Sequence, residues 1–172
     1  LWLPGGASNT GGAWIAREVA EADLPALDAA AAPQLPTPVV AYPLTREGER
    51  FPFLAPAARG FFLPEPDDPT ARFAAALQGV ALLERLGYEV LDGIAGTAGG
   101  DVYSTGGGSR SDVWMQCRAD ATGRRLHRPA CPESAFGSAV LAAAAHFGGI
   151  QHAITALVRL DATFTPHAEK RA

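Results

Sequence analysis

The chain of 172 residues holds one lysine, Lys170, against 13 arginines. A mechanism built on a lysine inside a fold, either a Schiff base or a P-loop lysine, is thereby excluded. Cysteine is scarce too. Cys117 and Cys131 are the two present, with no Cys-x-x-Cys spacing, so neither a disulfide framework nor a structural zinc site is expected. Both thiols are expected to be buried and reduced. There is no basic surplus: the formal net charge is −4 and the pI about 5.5. The short cluster Arg124, Arg125 and Arg128 does not outweigh that total, which argues against sequence-independent nucleic-acid binding. No apolar run approaches the length of a membrane span, and the longest, Ala139 to Ala145, reads as a core helix. No signal peptide is visible, so the cytoplasm is the default compartment. The chain starts at Leu1 and its one methionine is Met115, so it reads as a piece of something longer. The four histidines, His127, His146, His152 and His167, have no metal-ligand spacing and read as surface or helix-end residues.

What is present is ordinary globular material, with 48% hydrophobic and 19% charged residues. That is enough for a real core. The 35 alanines, 19 glycines and 14 prolines announce helices and long loops. A glycine-rich loop, Pro4 to Gly12, precedes a helix expected from Ala13 to Ala22. Thr10 is its expected cap, and Trp14, Ile15 and Val19 share its inner face. A second helix is expected from Asp23 to Ala32 with Pro25 in its first turn, ended by Pro33, Pro36 and Pro38. Val39 to Tyr42 reads as a short buried strand. Residues 43–66, rich in proline and phenylalanine, read as one long irregular segment that wraps the surface or meets a partner domain.

From Asp67 the period changes. Asp67 or Asp68 caps a long helix with Pro69 in its first turn, and Phe73, Leu77, Val80, Ala81 and Tyr88 recur at spacings of three and four. Gly79 inside it points to close packing, and Gly87 is a candidate kink. After a loose loop, Gly93 to Gly100, come a strand (Asp101 to Thr105), three glycines, a helix capped by Ser111 or Asp112, a strand (Arg125 to Pro129) and an alanine-rich helix (Glu133 to His146). Residues 150–172 read as a last helix and a tail. This is the rhythm of a layered α/β unit.

The turn Thr105-Gly106-Gly107-Gly108-Ser109 lies between a strand and a helix start. Glycine lets backbone approach a ligand closely, and a helix start offers free N–H groups and a positive dipole end. The turn is either a nucleotide cradle or a plain tight turn. Trp114, six residues past Gly108, either faces an adenine or belongs to the core. The second glycine cluster, Gly5-Gly6 and Gly11-Gly12, is also loop-to-helix, and two such turns could grip one ligand from opposite sides. No catalytic constellation and no metal-ligand set stands out. Asp67 and Asp68 read as cap residues, and Ser104, Ser109 and Ser111 lack a nearby base.

Taken together the motifs resemble the FGGY carbohydrate kinases. Thr105 to Gln116 resembles the adenosine loop of that family, and Gly5 to Gly12 (GGASNTGG) its ribose-side loop. Tyr42-Pro43-Leu44, Gly48 to Phe53 and Ala58 to Phe62 resemble the family's "PLL…GER.P…ARG.F" segment. Ala76 to Ala81 resembles the "EG(V/I)A" helix, and Glu133 to Ala139 the closing "E..A.GAA…A" helix. The five stand in the family's order from about residue 5 to 148, and the D-ribulose and D-xylulose kinase branch is most similar.

The resemblance implies an actin-like, ribonuclease-H-like α/β fold. The whole chain would be part of the C-terminal, nucleotide-binding domain of a sugar kinase, without the N-terminal sugar-binding domain. It implies ATP as ligand, with Mg2+ held through the nucleotide. Gly107 and Gly108 would lie against the adenosine, Ser111 or Asp112 beside it, and Trp114 along the adenine face. Gly12, with Asn9 or Gly11, would approach the ribose or phosphates. The family's Asp-x-Gly-Thr phosphate loop, sugar site and catalytic aspartate are absent from this sequence, so no catalytic residue is assigned and the chain alone is expected to be inactive. The alternative is a non-catalytic nucleotide-binding or interaction module that keeps the fold. A homodimer, formed through apolar surface left bare, is also an expectation.

Overall fold

The computed structural model describes residues 4–20 and 23–170. Its elements are α1 (Gly12–Glu18), α2 (Leu24–Ala31), β1 (Val40–Tyr42), β2 (Phe61–Leu63), α3 (Pro69–Ala95), β3 (Val102–Tyr103), α4 (Asp112–Thr122), β4 (Leu126–Pro129), α5 (Ser134–Ala143), α6 (Ile150–Leu157) and β5 (Leu160–Phe164). The expected α/β arrangement is there, and α3 is its spine. Of the two candidate caps, Asp68 is the one used: its carboxylate accepts the Ala71 N–H at 2.8 Å, and Pro69 follows in the first turn. The helix is buried at every position from Phe73 to Gly79, because β1, α2 and α4 all pack against it. Small side chains permit this. A Cβ at Gly79 would run into the Ala41 carbonyl of β1, so the close packing expected there is real. Gly87 makes room for the Phe51 ring, which a Cβ would meet at 2.9 Å, and α3 continues through it.

One core joins α1, α2, β1, β2 and α3. Trp14, Ala31, Ala41, Phe62, Phe73 and Leu77 meet there, with Ile15 and Val19 packed beside them, so the inner face expected for α1 is the one observed. Trp114 of α4 enters the same core. A second core joins α4 to the sheet through Met115, Ala119, Val102 and Leu126. Helix α4 is thus held from both sides, which fixes its N-terminus in space. The sheet runs β3-β4-β5, with β3 parallel to β4 and β5 antiparallel to it.

Several expectations are corrected. Helix α1 starts at Gly12 with Gly11 as its cap position and no capping side chain; Thr10 instead bonds Ser8. The helix ends at Glu18 with Val19 extended, short of the expected Ala22, which itself lies outside the described residues. Residues 43–66 are not wholly irregular, because Phe61–Leu63 pairs antiparallel with Val40–Tyr42. That pairing buries Ala41 and Phe62 on one face and leaves Val40 and Leu63 exposed, so β1 is half-buried. The tail holds a strand. Leu160, Ala162 and Phe164 alternate with Asp161 and Thr163, a period-two signal, and β5 pairs with β4. The run Ala139 to Ala145 is not a core helix: within it only Val140 is buried, because α5 packs mainly on α6. Cys131 is exposed. Cys117 is partly covered, and burial pushes its thiol up to about 12. His127 is buried on β4, between Thr163 Oγ1 at 2.8 Å and Asp101 Oδ2 at 3.0 Å. No helix among the described residues is long and apolar enough to cross a membrane.

Candidate functional site

The turn after β3 is built by backbone bonds. Gly106 sits at φ 83°, ψ −173°, a region that glycine enters freely and other residues do not. Its N–H donates to the Pro132 carbonyl at 2.9 Å, while the Ser109 N–H and Oγ–H both return to the Gly106 carbonyl, at 3.2 and 2.7 Å. Gly107 to Arg110 then form a single 3₁₀ turn. Ser111, rather than Asp112, caps α4: its Oγ accepts the Trp114 N–H at 3.0 Å. Asp112 opens the helix, adds negative charge near its positive end, and pairs with Arg128 at 2.7 Å.

Two glycines shape the surface of this turn differently. A Cβ at Gly107 would meet nothing within 4 Å, so the backbone there is open to a ligand. A Cβ at Gly108 would lie 2.8 Å from Trp114 Cζ3, so the turn rests on the indole. Trp114 itself is buried, 6% exposed, and its ring N–H donates to the Leu77 carbonyl at 3.2 Å. Of the two readings open for Trp114, the core is the one seen. Its ring supports the turn at Gly108 from within the core. Asp28 of α2 lies near Ser111 and Asp112. Burial raises the Asp28 carboxyl above the usual carboxylate range; the nearby Ser111 hydroxyl opposes this and the Asp112 charge adds to it.

The other glycine loop is fixed by a residue that sequence spacing did not single out. Glu49 is 1% exposed and lies under Gly5 to Gly12. It accepts bonds from Ser8 Oγ at 2.7 Å, Asn9 N–H at 2.8 Å, Tyr42 O–H at 2.7 Å and Arg50 N–H at 2.8 Å. Asn9 is tied to that stretch as well: its amide donates to the Gly48 carbonyl at 2.9 Å and its Oδ1 accepts from Arg46 at 3.2 Å. Asn9 is therefore a staple of the loop. Gly11 and Gly12 are open, with nothing within 4 Å of a Cβ at either. Trp14, two residues on, and Trp114 share one core, which ties the two glycine turns to the same support.

A hollow of about 380 Å³ lies beside these elements, lined by Ser8, Thr10, Phe51, Leu83, Tyr88 and Trp114 among others. At its wall Arg118 makes a two-pronged pair with Glu84, at 2.6 and 2.8 Å, and donates to Ser104 Oγ at 2.7 Å. Gly107, Gly108, Ser111 and Asp112 do not line it, so the turn and the hollow are separate features that share the Trp114 ring. Among the described residues no cluster of His, Cys, Asp or Glu is arranged to hold a metal ion.

The model of the FGGY family of carbohydrate kinases, C-terminal domain, matches residues 2–146. This chain belongs to the FGGY family of carbohydrate kinases. It is 35% identical over 122 residues to the xylulose kinase of Escherichia coli (strain K12), covering 66% of this chain and 24% of that protein. The solved xylulose kinase from Rhodospirillum rubrum superposes with a TM-score of 0.75 at 31% identity, over 96% of this chain and 36% of that one. A xyloylose kinase from Brucella ovis gives 0.70 at 30% identity, over 85% and 31%. The FGGY domain described here thus spans about a quarter to a third of the length of these relatives, and its α/β fold is that of their C-terminal portion.

Within this FGGY domain the motifs noticed in the sequence divide into two kinds. The 105–109 turn is an exposed glycine surface on a fixed helix start. The Gly48-Glu49-Arg50 motif is internal wiring: its glutamate is a buried acceptor for the opposite loop. One sequence signal could have found it, since a Glu within a Phe- and Pro-rich stretch needs donors when buried.

Proposed function

We propose that this chain is the nucleotide-holding part of a pentulose kinase. ATP lies with its adenosine on the 105–112 turn and carries Mg2+ on its phosphates. Gly12 and Gly11 flank the ribose side, and Ser111 and Asp112 border the adenosine. The observation that carries this reading is the open backbone at Gly107, set on a turn that Trp114 supports, in a chain of this family. The γ-phosphoryl group then passes to a hydroxyl of a ketopentose held by residues outside this chain, with a base outside it as well. D-xylulose stands ahead of D-ribulose because similar relatives carry the name xylulose kinase. The compartment proposed is the cytoplasm.

Calorimetric titration of the chain with Mg-ATP tests the reading. Binding in the micromolar to millimolar range is expected, with at least tenfold loss in Gly108→Val, whose branched side chain meets the Trp114 ring. Absence of binding would favour the non-catalytic module. Sugar-dependent ATP turnover by this chain alone would overturn the claim that the base lies elsewhere.

We also propose self-association. Leu141, Ile150, Ile154, Leu157 and Leu160 are exposed on α5, α6 and β5. An apolar patch of that kind favours burial against a second copy. Light scattering is expected to show a mass that rises with concentration; a constant monomer mass would contradict it.

A further inference from the structure

Arg128 stands at the end of β4 and is largely covered, with a side chain 16% exposed. Its guanidinium serves three acceptors on three elements. Nη1 donates to the Ser109 carbonyl of the glycine turn at 3.0 Å and to Asp112 Oδ1 at the start of α4 at 2.7 Å. Nε donates to Asp161 Oδ2 on β5 at 2.7 Å. The Phe164 ring of β5 lies 5.6 Å from its centre. A planar fork with fixed donor directions is suited to hold several acceptors in one geometry, where a lysine point charge is not. Ser109 is fully buried and carries the turn through its two bonds to Gly106, so its carbonyl is the handle by which the turn is held.

We infer that Arg128 is a positioning residue for the nucleotide turn, and that through Asp161 it makes β5, beyond the matched residues 2–146, part of the site's support. The inference rests on the proposed binding of adenosine at the turn. Arg128 touches no ligand itself. It sets the Gly106–Ser111 backbone against β4 and β5, so loosening it lowers affinity for the adenosine end of the nucleotide and leaves the phosphate end alone.

The test uses the chain with Arg128→Gln, Arg128→Lys and Asp161→Asn, and Arg59→Gln as a surface control, since Arg59 is exposed and pairs with exposed Glu47. Two readouts are taken: calorimetric affinity for Mg-ATP and for adenosine, and amide hydrogen exchange across residues 106–111. Arg128→Gln is expected to weaken ATP and adenosine by the same factor, about tenfold, the scale of losing hydrogen bonds to a charged group. Arg128→Lys is expected to recover less than half of that loss on a logarithmic scale. Asp161→Asn is expected to weaken both ligands about threefold. Exchange in the turn is expected to rise in all three variants and to stay unchanged in α3. If the wild-type chain binds and Arg128→Gln binds within twofold of it, the inference is overturned and the nucleotide reading stands. If the wild-type chain binds neither ligand, the nucleotide reading fails, and the positioning of the turn is decided by exchange: unchanged rates at 106–111 overturn it. Should Arg128→Gln not fold, Asp161→Asn, an exposed position, decides in the same way.

Discussion

Replacing Glu49 by alanine is expected to destabilise the domain by about 4 kcal/mol in chemical denaturation. The carboxylate is buried and is the shared acceptor for Ser8, Asn9, Tyr42 and Arg50. Its removal leaves a hydroxyl, a phenol and two backbone N–H groups facing a void without an acceptor, and each such group costs about 1–3 kcal/mol. Glu49→Gln is expected to lose about half as much, because one oxygen still accepts while the amide presents donors to donors. Burial acts to raise the Glu49 carboxyl, but the bonds from Tyr42, Ser8, Arg50 and Asn9 outweigh it and hold it below the usual carboxylate range. The sign follows. A depressed folded value means the carboxylate contributes its full stabilisation above the ordinary glutamate range, and loses it as pH falls through the folded value. Wild-type stability is therefore expected to fall on acidification below about pH 4.5, with a shallower fall in Glu49→Gln. The GGASNTGG loop is the part expected to loosen first, visible as faster amide exchange at 8–12.

Arg118→Ala is expected to cost about 3 kcal/mol. Arg118 and Glu84 are 14% and 19% exposed, joined by two bonds, and Arg118 also holds Ser104 at the end of β3. Removing the arginine leaves Glu84 charged in a largely covered place beside Tyr88, whose phenol burial and that same carboxylate already raise to about 12. Replacing both partners by apolar residues of similar size, Arg118→Met with Glu84→Leu, is expected to recover most of the loss, since paired removal leaves no orphan charge. A double-mutant cycle read by denaturation checks this. A loss in the double variant equal to the sum of the two single losses would show that the pair packs and does not couple.

How much of this was legible in the sequence depends on how local each feature is. The long helix α3 was readable because its cap, proline and periodic apolar face lie within one stretch, Asp68 to Tyr88. The strand–turn–helix from Val102 to Thr122 was readable because glycine at a fixed φ and a serine cap are local chemistry. Glu49 was not, because its partners Ser8 and Asn9 lie about forty residues away and nothing in the spacing pairs them. Arg128 was hidden for the same reason: its acceptors Ser109, Asp112 and Asp161 come from three elements. Trp114 was ambiguous, since a large ring near a glycine turn suits either stacking or a core, and only the packing of α4 against α3 decides. The run Ala139 to Ala145 misled, because apolar composition signals burial only when another element supplies the second surface. Strand β5 carried a plain alternation in Leu160 to Phe164, overshadowed by the polar tail around it.

The most direct test of the central claim is a map of amide shifts on titrating the isotope-labelled chain with Mg-ATP. Saturable shifts centred on Gly107, Gly108 and Ser111, with smaller ones at Gly11 and Gly12, are expected. Saturation without movement at 105–112, with the shifts confined to the hollow at Leu83, Tyr88 and Arg118, would contradict it, as would no response at millimolar nucleotide.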